Sequence, residues 1–125
     1  MKYIDLHLHL DGAITAEIAK ELAKRQGIKL PTEDDDELRS MLSVPADCTC
    51  LNDFLACFAL PDSLMQTEEG LREAVRLVMD DAMSQGVIYA ELRFAPQLHT
   101  DGGMTQEQAV LAALVVPDLD GGVVC

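Results

Sequence analysis

The chain has 125 residues, and its 9 Lys and Arg against 22 Asp and Glu give a formal net charge of −13. This balance excludes the basic stripe that binds a phosphate backbone, and it disfavours docking on an anionic membrane surface. Hydrophobic residues make up 49% of the chain, which is typical of one globular domain rather than of a disordered acidic tail. No apolar run approaches the roughly 20 residues of a membrane helix, so we expect neither a nucleic-acid nor a membrane partner.

The first ten residues, MKYIDLHLHL, carry an Asp and two His and do not resemble a signal peptide. Without export, we expect a cytoplasmic location and reduced thiols at all four cysteines, Cys48, Cys50, Cys57 and Cys125. No second pair at zinc-finger spacing follows Cys48 and Cys50. Cys57 lies in an apolar segment and is predicted to be a small core residue.

The first predicted element is a strand over residues 3–10, in which polar and apolar residues alternate. Because successive side chains of a strand point to opposite sides, Asp5, His7, His9 and Asp11 are predicted to share one face. The other face is apolar and is expected to pack on a helix layer. Its residues are Ile4, Leu6, Leu8 and Leu10.

Two helices are predicted to follow this strand. Thr15 caps the first helix, which runs to about Gln26 and stops at Gly27. The acidic run at 33–37 then leads into a short helix that ends at about Leu42. A solvated helix start explains this run better than a calcium site, because EF-hand spacing and a glycine hinge are missing.

The central part of the chain predicts two more helices and a second strand. Residues 51–60 form a short apolar helix ended by Pro61, and Thr67 begins a longer helix that Gly86 terminates. Alternation over 87–95 predicts the second strand.

Glu91 and Arg93 share one face of this second strand, which predicts a paired charge network. Thr105 and Gln108 match a capping box for the last helix, which is expected to run to about Val116.

Strands that alternate with helices predict an α/β fold with parallel pairing through right-handed crossovers. Two strands do not make a stable parallel sheet, so we interpret residues 1–125 as the beginning of a larger domain. Residues 115–125 form an atypical tail, since Pro117 breaks the last helix and no periodicity follows. A truncated or frame-shifted reading frame would produce this tail, and so would an ordinary flexible terminus.

His7 and His9, at alternate positions of a rigid strand, converge on one point, and this suits a metal such as zinc. The alternative is a pair of hydrogen-bonded core histidines. The longer string DLHLHLDGA, residues 5–13, favours the metal site, because the alternative gives no reason for polar residues at every inward position.

This string closely resembles the first barrel strand of the adenosine deaminases, a family of the amidohydrolase superfamily. Residues 27–31 resemble the link after that family's first helix, and 51–58 resemble its short apolar helix at the pocket mouth. Residues 86–96 resemble its second barrel strand. The resemblance covers about residues 3–114, in order and at sensible spacing.

The resemblance implies a partial (β/α)8 TIM-type barrel, made of the first two strands and their helices, from an enzyme that deaminates adenosine to inosine. It implies that His7 and His9 are ligands of a zinc ion (Zn²⁺). His9 and Asp11 would also line the nucleoside site, with Asp11 near the ribose. Four residues would form an apolar wall over the purine, although helix core explains them equally well: Leu51, Phe54, Leu55 and Phe58.

In the resembled family, a further His, an Asp ligand, the acid Glu and the base His all come from later strands. None of those motifs occurs here, and the pattern gives His99 no ligand role, so no catalytic residue is assigned within this chain. We therefore expect an N-terminal portion that is inactive alone. The alternatives are a deaminase of adenine or another adenosine derivative, and a non-catalytic truncated chain. The H-x-E and P-C-x-x-C signature of cytidine-type zinc deaminases is missing.

Overall fold

The structure, a computed structural model, describes residues 1–44, 46–114 and 121–124, the last four as backbone only. Within these ranges the chain forms one three-stranded sheet and six α-helices. The strands are β1 (Tyr3–His9), β2 (Val87–Arg93) and β3 (Gly121–Val124). The helices are α1 (Ala16–Gln26), α2 (Asp35–Leu42), α3 (Leu51–Ala56), α4 (Ala59–Ser63), α5 (Glu68–Ser84) and α6 (Gln106–Leu114).

The strands are parallel and lie in the order β1-β2-β3, which confirms the predicted α/β fold. Backbone hydrogen bonds frame the β1–β2 pair at both ends, from Tyr3 N to Gly86 O (2.8 Å) and from Leu10 N to Arg93 O (2.9 Å). β3 was not predicted, since it lies in the tail that shows no periodicity. The predicted end of the last helix at Val116 lies outside the described residues.

The pairing of β1 with β2 shifts register between Asp5 and Leu8. These two residues oppose Ala90 and Leu92, so three steps along β1 match two steps along β2. The strict alternation predicted for residues 3–10 is therefore interrupted in the stretch that holds the first histidine. Such a local irregularity re-aims side chains without ending the strand.

The apolar face of β1 packs on the rest of the molecule only at its C-terminal end. Leu10 is buried and Leu8 is half-buried, but Ile4 and Leu6 are 63% and 55% exposed. Helices therefore cover this face only near its C-terminal end, because α5 packs against β2.

The main helices begin and end where the sequence predicts. Thr15 Oγ1 accepts a hydrogen bond from Ile18 N, and Gly27 ends α1 with a φ of 67°. Thr67 Oγ1 accepts from Gly70 N at the start of α5.

The predicted capping box also forms at the start of α6. Thr105 Oγ1 accepts from Gln108 N, and Gln108 Oε1 accepts from Thr105 N.

Three local predictions need correction. Residues 51–60 form parts of two short helices instead of one. Pro61 lies inside α4 instead of ending a helix. It is in the first turn, where the backbone nitrogen has no intrahelical acceptor, so the missing N–H of proline costs nothing. Asp34 caps α2, with its Oδ1 accepting from Glu37 N.

The third correction concerns the paired charges on β2. No ion pair joins Glu91 to Arg93 among the described residues. Instead, the Tyr89 hydroxyl donates to Glu91 Oε1 over 3.2 Å, and Arg93 Nε is buried without a hydrogen-bond partner in this part of the chain.

The core lies between the sheet and the long helices α1, α5 and α6. The sheet and each of these helices contribute fully buried side chains to the core, for example Leu22, Leu71, Leu92 and Ala113. Cys57 is buried, as predicted. No helix of the described residues is long and apolar enough to cross a membrane.

Candidate active site

A cleft of about 780 Å³ opens at the C-terminal end of β1. Parallel α/β proteins place their ligand sites at this end of the strands, because the loops that follow the strands meet there. The cleft is mainly apolar, with one imidazole and two carboxyl groups. It is lined by Leu8, His9, Asp11, Gly12, Ala13, Phe54, Phe58, Asp62 and Leu98.

The structure brings the two predicted metal ligands together. The Nε2 atoms of His7 and His9 lie 2.9 Å apart, and their ring centroids are 4.7 Å apart with the planes tilted by 58°. Both side chains are exposed, so water or an ion can reach them.

This donor pair fits zinc. With Zn–N bonds near 2.0–2.1 Å, two nitrogens in a tetrahedral site lie about 3.3 Å apart, so a small rotation of either ring admits the ion. A tetrahedral site needs further ligands, and the described ranges contain no group of three His, Cys, Asp or Glu side chains arranged to hold a metal.

Asp11, predicted to line a nucleoside site, stands beside His9 in the cleft wall. It lies in a 3-10 turn, Asp11–Ala13, that follows β1 directly. Its Oδ1 accepts a hydrogen bond from Gly12 N over 2.9 Å, which fixes the carboxyl group at the cleft edge. The second oxygen is available to a ligand donor, since the side chain is only half-buried.

The predicted apolar wall is formed in part. Phe54 and Phe58 line the cleft and meet edge to face, with centroids 5.4 Å apart. Leu51 is 68% exposed and does not line the cleft, and the side chain of Leu55 lies outside the described residues. Because the rings are nearly perpendicular, one of them can stack on a planar ligand while the other contacts its edge.

Asp62 is a cleft residue that the sequence analysis missed. Its Oδ1 is buried and has no hydrogen-bond partner among the described residues. Burial raises the pKa of this carboxyl group to about 6, and the negative charges of Asp11 and Asp101 contribute to the rise. The available signal was an acidic residue in an otherwise apolar segment, directly after Pro61.

Gln66 joins the Asp62 side of the cleft to the loop after β2. Its Nε2 donates to the carbonyl oxygens of Asp62 and Leu98, both at 2.8 Å, and its Oε1 accepts from Asp101 N. These hydrogen bonds fix the position of α4 relative to the loop after β2.

His99 is a buried support for the same loop. Its Nδ1 lies 2.9 Å from Met65 O, and its ring packs against Phe94. Burial lowers the pKa of its imidazole, although the bond to Met65 opposes this effect. His99 lies away from the histidine pair and does not line the cleft.

Comparison with known proteins assigns the family. The family model described as Adenosine deaminase matches residues 3–118. The chain belongs to the adenosine deaminase family. The adenosine deaminase of Haemophilus ducreyi is 50% identical over 111 residues, which are 89% of this chain and 32% of that protein. The chain thus spans about a third of the length of the curated relatives of this family that it matches.

Solved structures of related deaminases share the fold. The adenine deaminase of Arthrobacter aurescens superposes with a TM-score of 0.76 at 31% identity, over 97% of this chain and 37% of that one. An amidohydrolase from Burkholderia ambifaria, solved with bound Zn, gives 0.66 at 18% identity over 99% and 35%, a likeness in fold alone. The adenosine deaminase-like chain therefore corresponds to part of a TIM-type barrel.

Proposed function

We propose that residues 3–114 are the first two βα units of a zinc-dependent deaminase that converts adenosine and water to inosine and ammonia. The observation that carries the proposal is the 2.9 Å approach of two imidazole nitrogens beside an apolar cleft. Membership of the adenosine deaminase family and the 50% identity to a protein of that name support the reaction.

His7 and His9 would hold the zinc through their Nε2 atoms. Bound zinc lowers the pKa of a coordinated water and so supplies hydroxide near neutral pH. The rigid strand directs both Nε2 atoms toward one point, so the two residues contribute two preorganised ligands to a tetrahedral zinc site.

The cleft residues would bind and orient the nucleoside. One ring of the Phe54–Phe58 pair would stack on a face of the purine and the other would contact its edge, and together they would exclude water from that side. The carboxylate of Asp11 would accept a hydrogen bond from a ribose hydroxyl, since one of its oxygens is already held by Gly12 N.

We further propose that the 125-residue chain alone does not turn over substrate. Deamination needs a general acid and base positioned within hydrogen-bond reach of the reacting atoms. Among the described residues that line the cleft, His9 is assigned to the metal and Asp11 to the sugar, and Asp62 is the titratable side chain that remains. One carboxyl group does not supply both the acid and the base, so at least one of them has to come from outside this chain.

Adenine is a second candidate substrate, because the structural match at 31% identity is an adenine deaminase. The two candidates differ in the sugar that Asp11 would contact. The test measures kcat/KM for adenosine and for adenine in the hybrid enzyme described below. If the ratio of adenosine to adenine falls sharply in Asp11→Ala, the nucleoside is favoured as substrate. A ratio that stays unchanged would favour the free base.

A hybrid enzyme tests the proposal. Residues 3–114 would replace the matching segment of the Haemophilus ducreyi adenosine deaminase, and the ultraviolet absorbance change from adenosine to inosine would be followed. We expect an active, zinc-containing hybrid, and an isolated 125-residue chain without turnover. His7→Ala and His9→Ala should each remove zinc and activity together.

Glu69→Gln is the control, since Glu69 is exposed at the start of α5 and does not line the cleft. This variant should keep both zinc and turnover. Stoichiometric zinc and activity in the double variant His7→Ala/His9→Ala would contradict the proposal, and so would turnover by the isolated chain.

A further inference from the structure

The cleft holds one polar atom whose bonding is incomplete. Asp62 Oδ1 is buried against apolar walls, and no donor among the described residues reaches it. Buried polar atoms of folded proteins are nearly always hydrogen-bonded, because desolvation without a partner is costly. Asp62 as a whole is only half-buried and lines the cleft, so a rotation of the carboxyl group brings this oxygen within reach of a ligand.

The charges around this atom are all of one sign. Asp11 shares the cleft wall, and Asp101 is close enough to act on the same carboxyl group. No Lys or Arg occurs among the residues that line the cleft. Without bound metal, a pocket with two carboxylates and no basic side chain attracts uncharged donors and repels phosphate groups.

We infer that Asp62 is a specificity-determining residue, which accepts a hydrogen bond from an uncharged purine nucleoside and disfavours its phosphorylated form. The inference rests on the proposed function, since it assumes a purine ligand in this cleft. The hydroxyl groups or the 6-amino group of the nucleoside supply the donor that Asp62 lacks. A nucleotide would instead bring a phosphate toward carboxylates that no basic side chain of the cleft wall neutralises.

The raised pKa of Asp62 agrees with this geometry. At a value of about 6 the group is mainly ionised at neutral pH, so it acts as an acceptor and carries a repelling charge. The same carboxyl group would take up a proton in mildly acidic solution and would then lose its repulsion.

Ligand titration of the full 125-residue chain tests the inference, because this chain contains Asp62 and all the other described residues that line the cleft. Adenosine and AMP would be titrated separately into the metal-free chain at about pH 7.5, more than one unit above the pKa of Asp62, and followed by NMR chemical shifts. We expect wild type to bind adenosine about tenfold more tightly than AMP. Asp62→Asn should narrow this ratio to about twofold by strengthening AMP binding.

Two further variants separate the local effect from folding and from net charge. Asp62→Glu restores the carboxylate and should restore most of the discrimination. Glu69→Gln removes the same charge from an exposed position outside the cleft and should leave the ratio unchanged.

The inference is overturned if wild type binds both ligands equally or binds neither, or if Asp62→Asn keeps the wild-type ratio. Failure of the proposed function is a different result, namely an inactive hybrid enzyme. An active hybrid with an unchanged ligand ratio would overturn only the role of Asp62. If Asp62→Asn changes the ligand ratio but the hybrid is inactive, only the proposed deaminase function is overturned.

Discussion

The backbone N–H of His7 donates a hydrogen bond to Oδ1 of Asp5 over 3.0 Å. This bond lies where the register of β1 against β2 shifts, so the N–H of His7 is satisfied within its own strand. The carboxyl group of Asp5 therefore fixes the backbone that carries one of the two imidazoles. It acts as a positioning residue for the histidine pair.

Replacing Asp5 by Ala should loosen this part of β1. We expect the free energy of unfolding to fall by about 1 kcal/mol, the typical net worth of one hydrogen bond. Zinc affinity of the hybrid enzyme should fall with it, because the two Nε2 atoms are held less firmly. Asp5→Asn keeps an acceptor oxygen and should retain most of both properties in denaturant unfolding and zinc titration. Identical unfolding curves for the Ala variant and wild type would contradict this role.

Gly86 should be intolerant of any side chain. Its φ of 96° is unfavourable for other residues, and an added Cβ would lie 2.6 Å from Met1 O, a backbone atom that cannot move independently. Gly86→Ala should lower the free energy of unfolding by about 2–3 kcal/mol.

Gly27 provides the comparison, since it also has a positive φ, 67°, but an added Cβ there meets nothing within 4 Å. Gly27→Ala should cost about 1 kcal/mol, from backbone conformation alone. Chemical denaturation of both variants measures the difference. Equal losses would show that the close approach to Met1 is unimportant.

Gln26 should stabilise the junction of α1 with the start of α5. Its Nε2 donates to Leu64 O over 2.7 Å, and its Oε1 accepts from the Thr67 hydroxyl. Gln26→Ala leaves the Leu64 carbonyl without this donor, so we expect a loss of about 1–2 kcal/mol in thermal or denaturant unfolding. Gln97→Ala, at an exposed position, should stay within about 0.5 kcal/mol of wild type. Comparable losses in both variants would contradict the bridging role.

Asp62 should make stability depend on pH. Its pKa rises from an ordinary 3.8 to about 6 on folding, so the protonated form is the one that the fold favours. The stabilising contribution is complete below about pH 4 and is lost as the pH rises through about 6. The charges that act on it are those of Asp11 from the turn after β1 and Asp101 from the loop after β2. His9 lies in the same cleft wall.

The comparison with Asp62→Asn isolates this effect. Between pH 4 and 7, the unfolding free energy of wild type should fall by about 1–2 kcal/mol relative to the variant, less than full linkage because the side chain is only partly buried. Urea titrations at several pH values measure the difference. Parallel pH profiles for the two proteins would show that Asp62 keeps an ordinary pKa.

The parts of the fold that sequence predicts are those that local chemistry determines. Caps at Thr15, Thr67 and Thr105 form because each hydroxyl satisfies an N–H of the following helix turn, without help from distant residues. The parallel pairing of β1 with β2 follows from alternation and the crossover rule. The meeting of His7 and His9 follows from their spacing on one strand.

The features that sequence reasoning missed depend on distant contacts. Asp62 becomes a cleft residue because α4 folds against the turn after β1, which no local pattern indicates. The register shift in β1 arises from its pairing with β2, more than 80 residues away in sequence. β3 is short and rich in glycine, so its pairing with β2, rather than its own propensity, defines it.

β1 is an edge strand in the described sheet, and this position has a kinetic consequence. Half of its backbone groups face β2, while the other half exchange hydrogen bonds with solvent. Amide hydrogen exchange should therefore be fast at alternate positions of β1 and uniformly slower in β2, which has a neighbour on each side. The backbone that carries the histidine pair is hydrogen-bonded to a neighbouring strand on one side only. A strand that pairs with the outer edge of β1 would therefore also restrict the motion of the two imidazoles.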